Sequence, residues 1–554
     1  MADVPGSGGV AHRTPVDLLT APARPAQVAL VGLALCLTAI WLIVDPRTPD
    51  LAAAVYRVEN FRQLGLAVWD EHWYAGHHLP GYSLLLPPLG ALLGLPALGA
   101  VAVLSSTTLF ERLARSFYGD GARWGTALFA VAAVGDVWAG RMAFALGVAL
   151  ALAAALALRR EHAYAAVALG ALCAAASPVA GALLGLAGLT ATLASRSPRP
   201  VLVLALPAAF VVGALAALFP EGGYEPYPIL SFAATALVTL AFLSALPPGE
   251  RSLRIGGLLY LLVCVGCLLV HSPVGSNIER YGVLLAGPLL LCCSLGGGVR
   301  DAEARPGDAR RFPVRAPVLA LALAAAAVWI VWGPARETIA VAGSPATSAA
   351  YYAPVERFLA SRQGPPVRVE VPLTRTHWEA ALLAPRVSLA RGWEKQLDTR
   401  YDGVLLRRHL TAQGYGRWLR EQAVAFVALP DVELDPSSAR EGRLIRRGLP
   451  FLREVSRSTH WRIYRVLDAT PLVSGPARLE SLGHDSFALS AASATAVVVR
   501  VHFTRYWTLT RGRGCVGPAP GGWTAVRISR PGTVVVSARF SLGRALGSGA
   551  TTCA

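Results

Sequence analysis

Charge is scarce in this chain, and lysine is almost absent. Only 15% of the 554 residues are charged and 54% are hydrophobic, whereas a soluble domain averages roughly 25% charged. So little charge excludes an ordinary soluble globular protein. Lys395 is the single lysine, so arginine supplies nearly all the positive charge, a bias that points to a GC-rich bacterial genome. The formal net charge is +17, but no basic block accompanies it. Much of the excess falls in short loops between apolar runs, where anionic lipid headgroups attract it. A nucleic-acid partner is therefore not expected. No signal-peptide core occupies residues 11–19, so the first apolar run is expected to stay uncleaved. No repeat of fixed period is present. Cysteine is sparse too. Cys36, Cys173, Cys264, Cys267, Cys292 and Cys293 fall inside apolar runs as small core residues. Cys515 and Cys553 lie outside them, where an oxidising exterior favours a disulfide.

Long apolar runs are plentiful. Each covers a hydrocarbon core about 30 Å thick. They fall at 28–44, 83–107, 124–140, 142–158, 163–177, 178–194, 201–219, 229–247, 255–271, 281–298 and 316–333. With 163–177 and 178–194 counted separately, the arginines alternate from loop to loop. Sixteen gather on one side, and five (Arg47, Arg57, Arg62, Arg141 and Arg280) on the other. This bias predicts a cytoplasmic N-terminus, eleven crossings and extracytoplasmic C-terminal domains in a bacterial plasma membrane.

The composition changes after Trp332. The expected organisation is a cytoplasmic tail (1–27), a transmembrane domain (28–335), an α/β domain (336–472) and a β-sandwich (473–554). Strand signals at 367–373, 425–430 and 460–468 alternate with helical ones at 351–361 and 415–424. From about 475 onward the chain reads as short strands, at 494–503, 507–512, 523–529 and 532–542, between Gly/Pro turns.

The segment between the first two crossings, residues 45–82, is long and polar for a membrane loop. It holds Asp45, Asp50, Asp70, Glu71, His72, His77 and His78, with Arg57 and Tyr74 among dense aromatics. Residues 49–65 read as a surface helix with Pro49 and Asp50 at its start. A carboxylate at a partly dry interface suits general-base chemistry. The Asp70–Glu71 pair beside three histidines offers donors for a divalent metal, although the spacing matches no recognised ligand set. Two other outer loops add candidates. Glu221 and Glu225 lie in a Gly/Pro-shaped turn, and Asn277 and Arg280 in another. Arg280, with Arg141 as a second cation beside Asp136, suits a bidentate grip on a lipid phosphate. The aromatics Trp69, Trp73, Tyr74 and Tyr82 also fit an interfacial belt.

The layout resembles the GT-C superfamily of polytopic glycosyltransferases. Asp50 followed by Tyr56-Arg57 is similar to the acid-then-aromatic-basic loop helix of the aminoarabinose and protein-mannosyl transferases. The stretches LAVWDEHWYAGHHLPGYSLLLPPL (66–89) and RYWTLTRGRGCVGPAPGGW (505–523) are similar to YfhO-like and 6-pyruvoyl-tetrahydropterin-synthase-related bacterial membrane proteins. The resemblance implies a GT-C-like helical membrane domain followed by an α/β domain and a small sandwich. It implies transfer of a sugar from a polyprenyl-phosphate donor to a cell-envelope polysaccharide or protein acceptor, with Asp50 or Asp45 as base. Two other classes stand beside this reading. A lipid or glycolipid transporter would carry charge at the midplane in repeated, broken halves, and the spans are nearly free of charge apart from Asp136. A non-catalytic cell-envelope assembly protein would tolerate loss of the loop carboxylates.

Overall fold

The computed structural model describes residues 25–296, 315–547 and 553. The polar tail before residue 25 and the arginine-rich loop spanning 300–311 lie outside the described residues.

Among the described residues, eight helical stretches are long and apolar enough to cross a membrane. One of them, Leu95–Trp138, comprises two successive helices, Leu95–Tyr118 and Ala122–Trp138. Two shorter apolar helices, Ala163–Ala176 and Ile229–Ala245, stand among the described residues. Large apolar side chains such as Leu35, Phe210, Leu237, Leu262 and Val328 point outward along these helices, as lipid requires of a helix whose backbone is already paired. The protein is a multi-pass membrane protein.

Two details differ from or refine the sequence reading. The run expected to cross at 83–107 is broken into Leu86–Leu93 and Leu95–Tyr118. Gly94, at φ +79°, ends the first helix, and Pro96 sits in the first turn of the next. Proline lacks an N–H and has a preset φ, so it is tolerated there and not mid-helix. The two short runs near residue 177 are separate helices, Ala163–Ala176 and Pro178–Ser195. Ser177 is extended, and its Oγ accepts the Ala180 N–H at 3.3 Å, so it caps the second helix.

Beyond the last long helix lie a mixed five-stranded sheet and two four-stranded antiparallel sheets. The first has the order β2 (Ser388–Leu389), β1 (Arg368–Glu370), β3 (Val424–Pro430), β5 (Trp461–Val466), β4 (Leu452–Arg457). β1 runs parallel to both of its neighbours, and β5 antiparallel to its own. The other two sheets form the sandwich. Its strands alternate buried and exposed positions, as period-2 side chains demand. Val497, Val499 and Val501 on one sheet and Leu489, Val534 and Val536 on the other share one apolar core. Cys515 and Cys553 are joined by a disulfide.

The long loop is folded into these cores. Tyr56, Trp73 and Tyr74 belong to the apolar cluster of the mixed sheet, with Tyr352, Val369 and Trp461. Trp69 belongs to that of the sandwich, beside Trp507 with ring centroids 5.9 Å apart. These aromatics are therefore not an interfacial belt. They are core residues supplied by a membrane loop to folds encoded roughly 300 to 400 residues later.

The loop helix, Pro49–Leu64, starts on the turn between the helices Ala122–Trp138 and Met142–Arg159. Thr48 Oγ1 donates to the Trp138 carbonyl at 3.0 Å. Gly140, at φ +81°, presses its backbone against Leu51, and a Cβ there would lie 2.2 Å from the Leu51 nitrogen. Only glycine satisfies both the left-handed backbone and the close approach. Gly140→Ala should therefore cost about 1–3 kcal/mol of strain and displacement and lower the melting temperature in detergent by several degrees. An unchanged melting temperature would show that the loop helix is not seated on this turn.

Candidate active site at the start of the loop helix

The seat fixes the first turn of the loop helix, and that turn carries Asp50. Its Oδ2 faces two guanidinium groups, Arg141 Nε at 3.7 Å and Arg280 Nη2 at 3.9 Å. Both separations exceed a hydrogen bond, so the three groups form a charged cluster whose direct bonding capacity is not consumed between them. Arg141 also points Nη1 toward Asp136 Oδ1 at 3.4 Å, which holds its side chain along the turn. Arg280 lies one residue into the helix Glu279–Leu295, with its guanidinium 5.4 Å from the centre of the Phe144 ring. Asp50, Arg141 and Arg280 are each partly exposed, and Asp136 is nearly buried. The loop helix, the turn after Trp138 and the helix Glu279–Leu295 thus bring one carboxylate and two cations together.

The turn 219–228 approaches the same cluster. Glu225 accepts a hydrogen bond from Ser276 Oγ at 3.0 Å, and its backbone N–H donates to the Ser272 carbonyl. Burial pushes its carboxyl up, against the pull of Ser276, Arg280 and Lys395 and with a small push from Asp50, to about 7. Asn277 lies in the short turn Gly275–Ile278 that leads to Glu279 and Arg280. Arg57 extends from the next turns of the loop helix to Glu394 Oε2 at 2.5 Å. Its guanidinium lies 3.9 Å from the centre of the Tyr82 ring and 5.1 Å from Trp73. The four groups Asp50, Arg280, Arg57 and Glu394 all act electrostatically on Tyr82.

The second half of the loop is built differently. Asp70 is fully buried and accepts from Tyr56 Oη at 2.9 Å, pairs with His484 Nδ1 at 2.9 Å and receives the His72 N–H at 3.2 Å. Burial alone would raise its carboxyl, but the His484 hydrogen bond and nearby His77 outweigh burial and bring it down to about 2. Glu71 is paired with Arg368 Nη2 at 2.9 Å. Burial there outweighs the arginine and raises the carboxyl to about 8. His72 Nδ1 lies 2.6 Å from the Ala384 carbonyl. His77 Nδ1 lies 3.2 Å from the Asp70 carbonyl. Tyr74 Oη donates to Asp398 at 3.1 Å and accepts the Glu394 N–H at 3.0 Å. His78 reaches Thr504 at 3.0 Å and Glu221 at 2.7 Å. These residues tie the loop to both C-terminal folds.

The structure thus brings Asp50, Arg141, Glu225, Asn277 and Arg280 toward one place. It sets Asp70, Glu71, His72, Tyr74, His77, His78 and Glu221 in buried or partly buried polar contacts elsewhere. Asp45 is separate again. It is 61% exposed in its side chain, pairs with Arg47 at 3.8 Å and lines a cleft of about 400 Å³ with Trp41, Leu95 and Trp378. A divalent ion at Asp70–Glu71 does not fit the geometry. Glu71 is committed to Arg368 and Asp70 to Tyr56 and His484. Among the described residues, no group of three or more His, Cys, Asp or Glu side chains is placed to hold a metal. The sequence reading missed Glu394, Arg368 and His484, the partners of Arg57, Glu71 and Asp70. Each lies about 300 residues or more away along the chain and carries no local signal of its role.

No family model and no curated protein matches the sequence. Among solved structures the chain is similar to a mutant of arabinofuranosyltransferase AftD from Mycobacteria, with a TM-score of 0.47 and 14% identity, over 94% of this chain and 60% of that one. It is also similar to ArnT from Cupriavidus metallidurans bound to undecaprenyl phosphate, with a TM-score of 0.42 and 15% identity, over 80% of this chain and 98% of that one. The chain spans about 60% of the length of the AftD structure.

The depressed Asp70 carboxyl contributes stability that is present above the usual carboxylate range and lost as pH falls from about 4 toward 2. Asp70→Asn should remove roughly 2–3 kcal/mol of stability at neutral pH and flatten the acid limb of the melting curve. Parallel acid limbs for the variant and the parent, from pH 5 downward, would contradict the role given to Asp70.

Proposed function

We propose that this protein is a membrane glycosyltransferase that moves a sugar from a polyprenyl-phosphate donor to an acceptor on the side of the membrane where the C-terminal sheets lie. The observation that carries the reading is the Asp50 carboxylate held between Arg141 and Arg280 at salt-bridge distance but beyond hydrogen-bond distance. The resemblance of the loop to GT-C enzymes supports the same assignment.

Each group then has a chemical task. The donor phosphate, a stronger partner for a guanidinium than a lone carboxylate oxygen at nearly 4 Å, takes up Arg141 and Arg280. This frees the Asp50 carboxylate from its two cations. Asp50 accepts the proton of the acceptor hydroxyl or amine as that atom attacks the anomeric carbon. The bond from the anomeric carbon to the phosphate oxygen breaks, and the charge that develops on the leaving phosphate is stabilised by the two arginines. Donor binding and base activation are thereby coupled, because one pair of cations serves both anions. Asp50 is preferred to Asp45 as the base because Asp45 faces a different cleft, where it pairs with Arg47.

Asp50→Asn should reduce glycan transfer in membranes by about 10²–10⁴-fold, the usual worth of a general base, with donor binding retained. Transfer at the parent rate would remove Asp50 from the chemistry. Glu225 adds a pH dependence. Its carboxyl titrates at about 7 and acts on Arg280. Above that pH the ionised carboxylate competes for the guanidinium, so the KM for the donor should rise as pH increases from about 6 to 8. Glu225→Gln should abolish the rise, and a pH dependence unchanged in that variant would disconnect Glu225 from the donor site.

A further inference from the structure

A second region at the membrane surface has no part in this chemistry. A cleft of about 410 Å³ opens between the turn 219–228, the mixed sheet's helix Lys395–Tyr401 and the sandwich. Its walls carry Arg400, Arg505 and Thr504, with Phe503 and Pro220 as apolar surface. Arg505 is exposed and anchored through one nitrogen, Nη1, which donates to the Ala545 carbonyl at 2.8 Å. Arg400 is only loosely paired, 3.9 Å from Glu221, and Glu221 is itself engaged by His78. Two guanidinium groups therefore face the cleft with donors to spare.

An apolar patch adjoins it. Phe540, Leu542 and Leu546 are 46%, 67% and 80% exposed, on and around the short helix that anchors Arg505. Isolated exposed apolar residues need no explanation, but a contiguous group does. The place of this group in the fold supplies one. Tyr506 Oη donates to the Leu218 carbonyl at 2.7 Å, at the last residue of the span Val201–Leu218. The Phe219 ring lies 5.9 Å from Phe540 and 5.7 Å from Tyr506. Leu215, one turn inside that span, shares an apolar cluster with Tyr506 and Ala545. The patch is thus level with the end of a membrane helix, and the arginine cleft sits directly beside it.

We infer that this corner of the sandwich is a binding site for an anionic phospholipid of the adjoining leaflet. The phosphate lies between Arg400 and Arg505, and the acyl chains run along Phe540, Leu542 and Leu546. The chemistry fits an amphipathic ligand on both counts. Guanidinium pairs recognise phosphate bidentately, and apolar side chains beside a basic rim are the pattern of interfacial membrane contact. The site anchors the sandwich to the membrane independently of the glycosyltransferase reading.

The test uses the full chain in lipid nanodiscs. A spin label at Leu546→Cys, in a Cys36→Ala background because Cys36 is exposed, should collide with oxygen more than with a water-soluble nickel chelate, as a label at Phe210→Cys in the span does. A label dominated by nickel collisions overturns the inference. Native mass spectrometry then compares retained phosphatidylglycerol with phosphatidylcholine. The parent should favour phosphatidylglycerol, and Arg400→Gln with Arg505→Gln should reduce that preference by about fivefold per residue. Equal retention of the two lipids by the parent, or a preference unchanged in the double variant, overturns the headgroup assignment.

Discussion

The seat of the loop helix on a two-helix turn is the constraint from which the rest follows. Gly140 lets the backbone of the turn touch Leu51, and Thr48 closes the contact through the Trp138 carbonyl. Those two contacts fix the first helical turn, and the first turn carries Asp50. Arg141 is the residue immediately after Gly140, so the same geometry that admits the helix also sets a guanidinium against its acid. Arg280 arrives from a third segment and completes the cluster. Charges inside a bilayer are costly, and at its edge they are affordable only when paired or solvated. Three such groups, held close but not bonded, keep their capacity for a ligand.

The loop divides into two parts with opposite chemistry. Its start is polar, partly exposed and loosely paired. Its end is buried and tightly paired, with Asp70 closed by Tyr56 and His484 and Glu71 by Arg368. Removing one partner from such a buried pair leaves the other uncompensated, which is why these contacts fix position well even where their net worth is small. Trp69 and Trp73 enter two different cores at the same time. The C-terminal sheets are therefore held on the membrane domain by residues of the same loop that carries Asp50, and Arg57 with Glu394 links the two parts directly.

Much of the fold was legible in the sequence. Apolar runs, their lengths and the break at Ser177-Pro178 follow from the physics of a thin apolar solvent. The strands at 424–430, 461–466, 495–502 and 532–538 follow from β-branched alternation and turn residues. Less was readable where local signals are weak. The strands Arg478–Leu482 and Gly514–Pro518 carry glycine, serine or charge and took their state from neighbours in the sheet. At the site, Asp50, Arg141 and Arg280 could be singled out as charges at span edges, but their convergence could not. The Asp70–Glu71 pair read as donors for a divalent metal in sequence because it is adjacent and flanked by histidines. In the fold, adjacency put the two side chains on different partners, Asp70 on Tyr56 and His484 and Glu71 on Arg368, and burial closed both.

In the proposed mechanism Arg141 and Arg280 exchange Asp50 for a lipid phosphate. The most direct measurement is a density map of the full chain with a polyprenyl phosphate bound. Phosphate density is expected at salt-bridge distance from both guanidinium groups, with the Asp50 carboxylate released toward open space. Phosphate density elsewhere, with Asp50 still between the two arginines, would contradict it.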